Sequence, residues 1–366
     1  MAYPIWFSRR SRPGRATAIV FLPPDTGTFW FHTHCNTVEQ LGRGLMGVLI
    51  VEGDTTAPYD ADEVIVLRDW RIDGEAGAFL DFTTRRGAHR AGTFGTVRSA
   101  NGMIDAAIDL PGNGDCRLRL LNADPTRIMD VAVDGAEAAV LAIDGIAVPP
   151  FALEAWPLGP GMRLDLLVRA PSGGASARLV DRRAPEAPTL ARLVGSGPDG
   201  KARPFDPLPL RASRIPEPDL AAADELAFTF AAGDVASADD PLAADLLGSL
   251  CLASEEYWTI NGKSWPGRDH QRLPPPLARL ERDRSYVFTL KNATQLLHPI
   301  HVHGHSFKVL GSNRRSLPVH HVDTMLLLPD EEVRVAFVAD NPGKWMFHCH
   351  VIEHQEAGMM AYVEVA

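Results

Sequence analysis

The sequence predicts an all-β chain built from two to three sandwich domains, and three observations point there. Its 366 residues exceed a single ordinary domain and are long enough to bury an ample core. Short Val/Leu/Ile runs are punctuated by 29 prolines and 31 glycines, the pattern of many strands joined by turns. No apolar run approaches the ~20 residues that span a bilayer. Strands are expected at Gly47–Glu52, Glu63–Leu67, Arg117–Leu121, Ala138–Ala142, Arg163–Val168, Tyr257–Ile260, Ser285–Leu290 and Val333–Val338. The Ala-rich stretch 220–250 is expected to hold a short helix. The apolar run 16–22 follows Arg9-Arg10, a faint twin-arginine export pattern, but it is at the short end of the ~7–15 residues a signal needs. It reads as a strand.

Charge and cysteine content narrow the class further. With 36 basic and 46 acidic residues the net charge is −10, and no basic cluster favours nucleic acid. Four cysteines are too few for a disulfide framework in a chain this long. Cys116 lies in an alternating Cys-Arg-Leu-Arg-Leu strand and reads as a small buried residue; a bridge between Cys35 and Cys251 is left open.

The C-terminal string His348-Cys349-His350-Val-Ile-Glu-His354-Gln-Glu-Ala-Gly-Met359 is rich in soft and borderline metal donors. One thiolate, two imidazoles and a weak axial thioether make up a blue-copper electron-transfer site, and Cys349, His354 and Met359 supply three of the four. Along a strand, alternation turns His348 and His350 away from the face used by Cys349. Upstream, His298-Pro-Ile-His301-Val-His303-Gly304 offers the fourth ligand as His298, set apart by a turn at Pro299, while His301 and His303 share a face and can join His348 and His350. A third string, Trp30-Phe-His32-Thr-His34, presents two more same-face histidines.

With these strings the chain resembles the multicopper oxidases, the family that includes laccases, and the similarity covers nearly its whole length. Val-Leu-Arg-Asp69-Trp70, Leu121-Asn122-Ala and Thr-Ile-Asn261-Gly262-Lys extend it beyond the ligands. The resemblance implies tandem cupredoxin-like Greek-key β-sandwiches: residues 1–53 as the C-terminal part of a truncated first domain, 54–196 as a second domain without copper, 197–224 as a linker, and 225–366 as the copper-bearing third domain. It implies type 1 copper on His298, Cys349, His354 and Met359, type 2 copper on His301, and the binuclear type 3 pair on His32, His34, His303, His348 and His350. Met360 adjoins the axial position, but the step from Cys349 selects Met359.

The implied activity is one-electron oxidation of phenolic, aromatic or metal-ion substrates, coupled to reduction of O2 to water, with up to four coppers. The partners are O2 and a small reductant, without nucleic acid or membrane, and oligomerisation is left open. Periplasmic or secreted localisation follows from the resemblance alone. The family's N-terminal His-x-His has no counterpart, because none of the 13 histidines precedes His32. Residues 1–53 are also short of the ~100 a two-sheet sandwich takes, so a fragment of a longer chain is expected. The missing string supports an alternative, a non-catalytic type 1 copper or electron-transfer protein; a copper nitrite reductase ranks behind both. Where relatives carry an acid after the type 1 histidine this chain has Gln355, which leaves Glu353 and Glu356 as candidate proton donors and Asp323 as a residue near the site. His305 is expected to pack, His320 and His321 to border the type 1 site, and His89 and His270 to sit in solvated loops.

Overall fold

The computed structural model describes residues 20–34, 36–53, 55, 59–200, 203–233, 257–266 and 273–366. The Cys35–Cys251 pairing, His270, Arg9-Arg10 and residues 16–19 lie outside the described residues; 20–22 are irregular. The chain divides into two compact units. Among the described residues, the N-terminal unit comprises those within 26–213 and 350–353, and the C-terminal unit those within 20–25, 214–349 and 354–366. Both are cupredoxin-like β-sandwiches. No helix among the described residues is long and apolar enough to cross a membrane.

In the N-terminal unit, one sheet has six strands in the order Val97–Ala100, Ala61–Trp70, Asp115–Asn122, Arg163–Arg169, Ala138–Ile143, Ile146–Ala152. The other has five, in the order Trp156–Leu158, Met129–Asp134, Ser176–Asp181, Thr189–Ser196, Ala107–Pro111. Side chains alternate between core and solvent along strands such as Ala107–Pro111, as a half-buried sheet requires. A two-stranded ribbon, Gly27–His32 antiparallel to Met46–Val51, carries Trp30 and His32. It is fastened by buried ions. Thr28 Oγ1 donates to Asp165 Oδ2 at 2.9 Å, Arg119 donates to Thr28 Oγ1 at 3.0 Å, and Arg117 pairs with Asp165 at 2.6 Å. Alternation in Cys116-Arg-Leu-Arg-Leu would turn Arg117 and Arg119 to solvent, yet both are buried, because the ribbon and the Asp165 and Asp62 carboxylates cover them. Cys116 is buried as expected, and burial pushes its thiol up to about 12. The segment through Phe205 and Leu210 lies against Leu141, Ala142 and Leu167.

The C-terminal unit pairs a six-stranded sheet (Trp258–Ile260, Asp224–Ala232, Ser285–Asn292, Glu332–Val338, Phe307–Ser312, His321–Val322) with a five-stranded one (Ala278–Leu280, Met360–Val365, Gly343–Cys349, His298–Val302, Thr324–Leu327). Phe347 of the second sheet is fully buried and meets Phe228 and Phe230 of the first edge-on, at 5.1 and 5.6 Å between centroids. Asp224–Ala232 is therefore a strand with Phe228 and Phe230 inward; residues 234–250, where the expected helix can also fall, lie outside the described residues. The turn expected at Pro299 is also absent, since His298–Val302 is one continuous strand. Its alternation alone parts His298 from His301. Ile300 pairs with Cys349 and His301 with His348, so His298 and Cys349 share the face that bears Phe347, and His301 and His348 share the opposite one.

Candidate metal centre

Register brings the C-terminal donors to one point. Nδ1 of His298 and Nδ1 of His354 lie 3.1 Å apart, and each is 3.6 Å from Cys349 Sγ. Among the described residues this is the one group of three or more His, Cys, Asp or Glu donors within 4.8 Å of one another, and all three are buried. Metal bonds of about 2.05 Å to nitrogen and 2.3 Å to sulfur would span these edges at angles of about 100–110°, so the donors fit a single ion without rearrangement. Met359 is fully buried, and its backbone carbonyl accepts from Cys349 N at 3.1 Å.

The surroundings fix which ring nitrogen is free. His298 Nε2 lies 2.9 Å from Thr294 Oγ1, which leaves Nδ1 for the shared point. Burial, with the neighbouring His354, holds His298 well below the usual imidazole range and keeps it neutral. Trp258 covers the pair, 5.2 Å from the His298 ring and 4.7 Å from that of His354.

The remaining strings form two groups. Within the C-terminal unit, the His301, His303 and His348 rings stand 4.9–5.6 Å apart, and Nε2 of His303 faces Nε2 of His348 at 3.1 Å. His301 Nδ1 donates to the Asp323 carbonyl at 2.7 Å and His348 Nδ1 to the Cys349 carbonyl at 2.8 Å. Their Nε2 atoms are thereby the acceptors. Within the N-terminal unit, the His32 ring is 4.6 Å from His34 and 5.2 Å from His350, with Trp30 stacked on His32 at 4.5 Å. His32 Nδ1 donates to the Thr33 carbonyl at 3.0 Å, again freeing Nε2. The His350 ring lies over Gly161, whose φ is +82°; a Cβ there would stand 2.8 Å from the ring.

The acidic candidates differ from one another. The Asp323 carbonyl accepts from His301 Nδ1, and Asp323 Oδ1 accepts at 2.8 Å from Thr324 Oγ1, which lies 3.2 Å from the same His301 nitrogen. Glu353 is buried and receives the Thr93 amide, the Thr93 hydroxyl and the Thr84 amide. Burial raises its carboxyl above the usual range, while those donors and the charge of Arg71 pull it down. Glu356 is half-buried at the end of the helix Ile352–Glu356. His305 packs between Phe337 and Trp345, His320 is buried, and His321 and His89 are half-buried. Trp258, Thr294, Gly161, Thr84 and Thr93 were not singled out from the sequence. Only Thr294, a hydroxyl four residues before His298, left a local sign.

The sequence pattern described as multicopper oxidase matches residues 252–366. A multicopper oxidase, MmcO, of Mycobacterium tuberculosis is 29% identical over 95% of this chain and 70% of its own length. The solved multi-copper oxidase of Pseudomonas Thermotolerans is 38% identical with a TM-score of 0.82, over 93% of this chain and 77% of that one. That of Pseudomonas Parafulva is also 38% identical, with a TM-score of 0.79 and coverages of 93% and 78%. With this identity, this coverage and the fold in agreement, the chain belongs to the multicopper oxidases, copper-dependent oxidoreductases that use O2 as acceptor.

Proposed function

We propose that this protein is a laccase-like oxidase that takes single electrons from a small phenolic, aromatic or metal-ion reductant and passes them to O2. Copper held by these donors supplies one-electron transfer and the four-electron reduction of O2 to water. The observation that carries the reading is the buried triangle of Cys349 Sγ with the Nδ1 atoms of His298 and His354. A thiolate with imidazoles suits an ion that cycles between one-electron states. Met359 would be a further, thioether donor to that type 1 site. His301 is assigned to type 2, and His32, His34, His303, His348 and His350 to the type 3 pair. The freed Nε2 atoms of His32, His301 and His348 support this.

The residues themselves do the rest of the work. Cys349 is peptide-bonded to both His348 and His350, so the thiolate ligand sits one residue from a histidine of each group. Trp258 and the Phe347 core exclude water from the thiolate. Asp323 orients His301, and Glu356 is assigned delivery of protons. Periplasmic or secreted localisation is proposed on family grounds.

One observation favours a second reading. The sequence supplies eight string histidines, two fewer than the ten the family resemblance implies. A type 1 electron-transfer protein without O2 chemistry would need only the triangle. Oxygen uptake by the copper-loaded protein with a phenolic reductant separates the two. Copper-dependent uptake, abolished in C349S, supports the oxidase. A blue type 1 signal without uptake supports the second reading, and neither signal refutes both.

A further inference from the structure

We propose that Glu353 is a positioning residue whose carboxyl group, held by Thr84 and Thr93, fixes the chain between Cys349 and His354. The inference rests on the copper reading above, since it concerns how those two ligands are held.

The ligand loop is divided between the two units. Cys349 and His354 belong to the C-terminal unit, whereas the four residues joining them, His350–Glu353, belong to the N-terminal unit. With so short a connection, any drift of the intervening segment pulls directly on a thiolate and an imidazole. Within the N-terminal unit the segment is tied at its end. Ile352 N donates to the Pro125 carbonyl at 3.0 Å, and the buried Glu353 carboxylate takes three donors. These are the Thr93 amide, the Thr93 hydroxyl at 2.7 Å and the Thr84 amide at 3.2 Å.

The two threonine hydroxyls continue the cradle. Gly87 N donates to Thr84 Oγ1 at 2.9 Å, and Thr84 Oγ1 faces Thr93 Oγ1 at 2.9 Å. Because the Thr93 hydroxyl donates to Glu353 Oε1, its oxygen must accept from Thr84. The cradle is also shaped to fit. Gly92 has φ +96°, and a Cβ there would lie 2.4 Å from Thr126 Cγ2 and 3.1 Å from Glu353 Oε2. At Gly87 a Cβ would meet Thr93 Oγ1 at 2.1 Å.

The test uses E353Q and T93V, read in two ways. In the copper-free protein, amide exchange at Thr84 and Thr93 should accelerate about tenfold or more in E353Q and less in T93V, the scale of losing buried hydrogen bonds. In the copper-loaded protein, both variants should shift the blue absorption band and the type 1 EPR hyperfine splitting. Unchanged exchange and an unchanged type 1 spectrum, with O2 uptake alone lost in E353Q, would overturn the proposal in favour of proton donation. Should E353Q fail to fold, T93V decides on the same readouts, and wild-type exchange and splitting in T93V count against the clasp. If the wild type shows no blue band, the copper reading fails while the exchange comparison still judges the clasp.

Discussion

His298 and His354 present Nδ1 to one another at 3.1 Å, whereas His301 and His348 commit Nδ1 to backbone carbonyls. The same side chain is thus prepared in two tautomers on opposite faces of one sheet. The choice is made by what each ring's other nitrogen meets: Thr294 Oγ1 at His298, the Asp323 carbonyl at His301 and the Cys349 carbonyl at His348.

If Thr294 sets that choice at His298, T294V should weaken copper binding at the thiolate site by about 10–100-fold, the usual cost of losing an outer partner of a ligand. Competition with a chelator of known affinity measures it. Wild-type affinity in T294V would remove Thr294 from the account.

Gly161 supplies both a left-handed backbone and room for the His350 ring. G161A is expected to cost about 1–2 kcal/mol from the backbone alone, with more from displacing the ring. Urea unfolding of the copper-free protein reads the cost. A copper count on the variant reports whether His350 still binds.

The ribbon carrying His32 depends on the buried Asp165 group. Burial raises the Asp165 carboxyl even with Arg117 and Arg119 beside it. D165A would leave two arginines buried without their shared anion, at an expected cost of about 3–5 kcal/mol. Unfolding measurements that found less than about 1 kcal/mol would show the ribbon to be held by other contacts.

His320 gives a pH dependence whose sign is fixed by burial. Burial chiefly, with His321 and Arg315, lowers it below the usual 6.5, against the hydrogen bond to the Pro318 carbonyl. The unfolded chain therefore takes up a proton that the folded chain refuses. This contribution is fully present above about pH 6.5 and is lost as pH falls from there toward the folded value. His305 and His321 shift the same way. Unfolding free energy of the copper-free protein should rise between about pH 5 and 7, and rise less steeply in H320Q. Equal slopes would contradict the assignment.

Much of this was legible in the sequence because the donors are spaced by local periodicity. Two-residue alternation parts Cys349 from His348 and His350, and it also parts His298 from His301 without the turn expected at Pro299. Eight of the predicted strands are present within a residue or a few at their ends, whereas 20–22, the described end of the run also read as a strand, is irregular. What local pattern could not reveal depends on distant partners. Thr93 reaches Glu353 across 260 residues and Thr28 reaches Asp165 across 137, so neither contact leaves a local sign. Arg117 and Arg119 looked like the solvent side of a strand, because nothing near them in sequence announces the ribbon that covers them. Within the Ala-rich stretch 220–250, Asp224–Ala232 is a strand because Phe228 and Phe230 pack on Phe288 and Phe347, while 234–250 lie outside the described residues.

The central claim is that His298, Cys349 and His354 hold one copper through a thiolate. Copper loading followed by visible absorption and EPR on wild type and C349S tests it most directly. The account predicts an intense blue band with a narrow type 1 hyperfine pattern in the wild type, and loss of both in C349S. Copper bound without a blue band in the wild type, or a blue band that survives C349S, would contradict it.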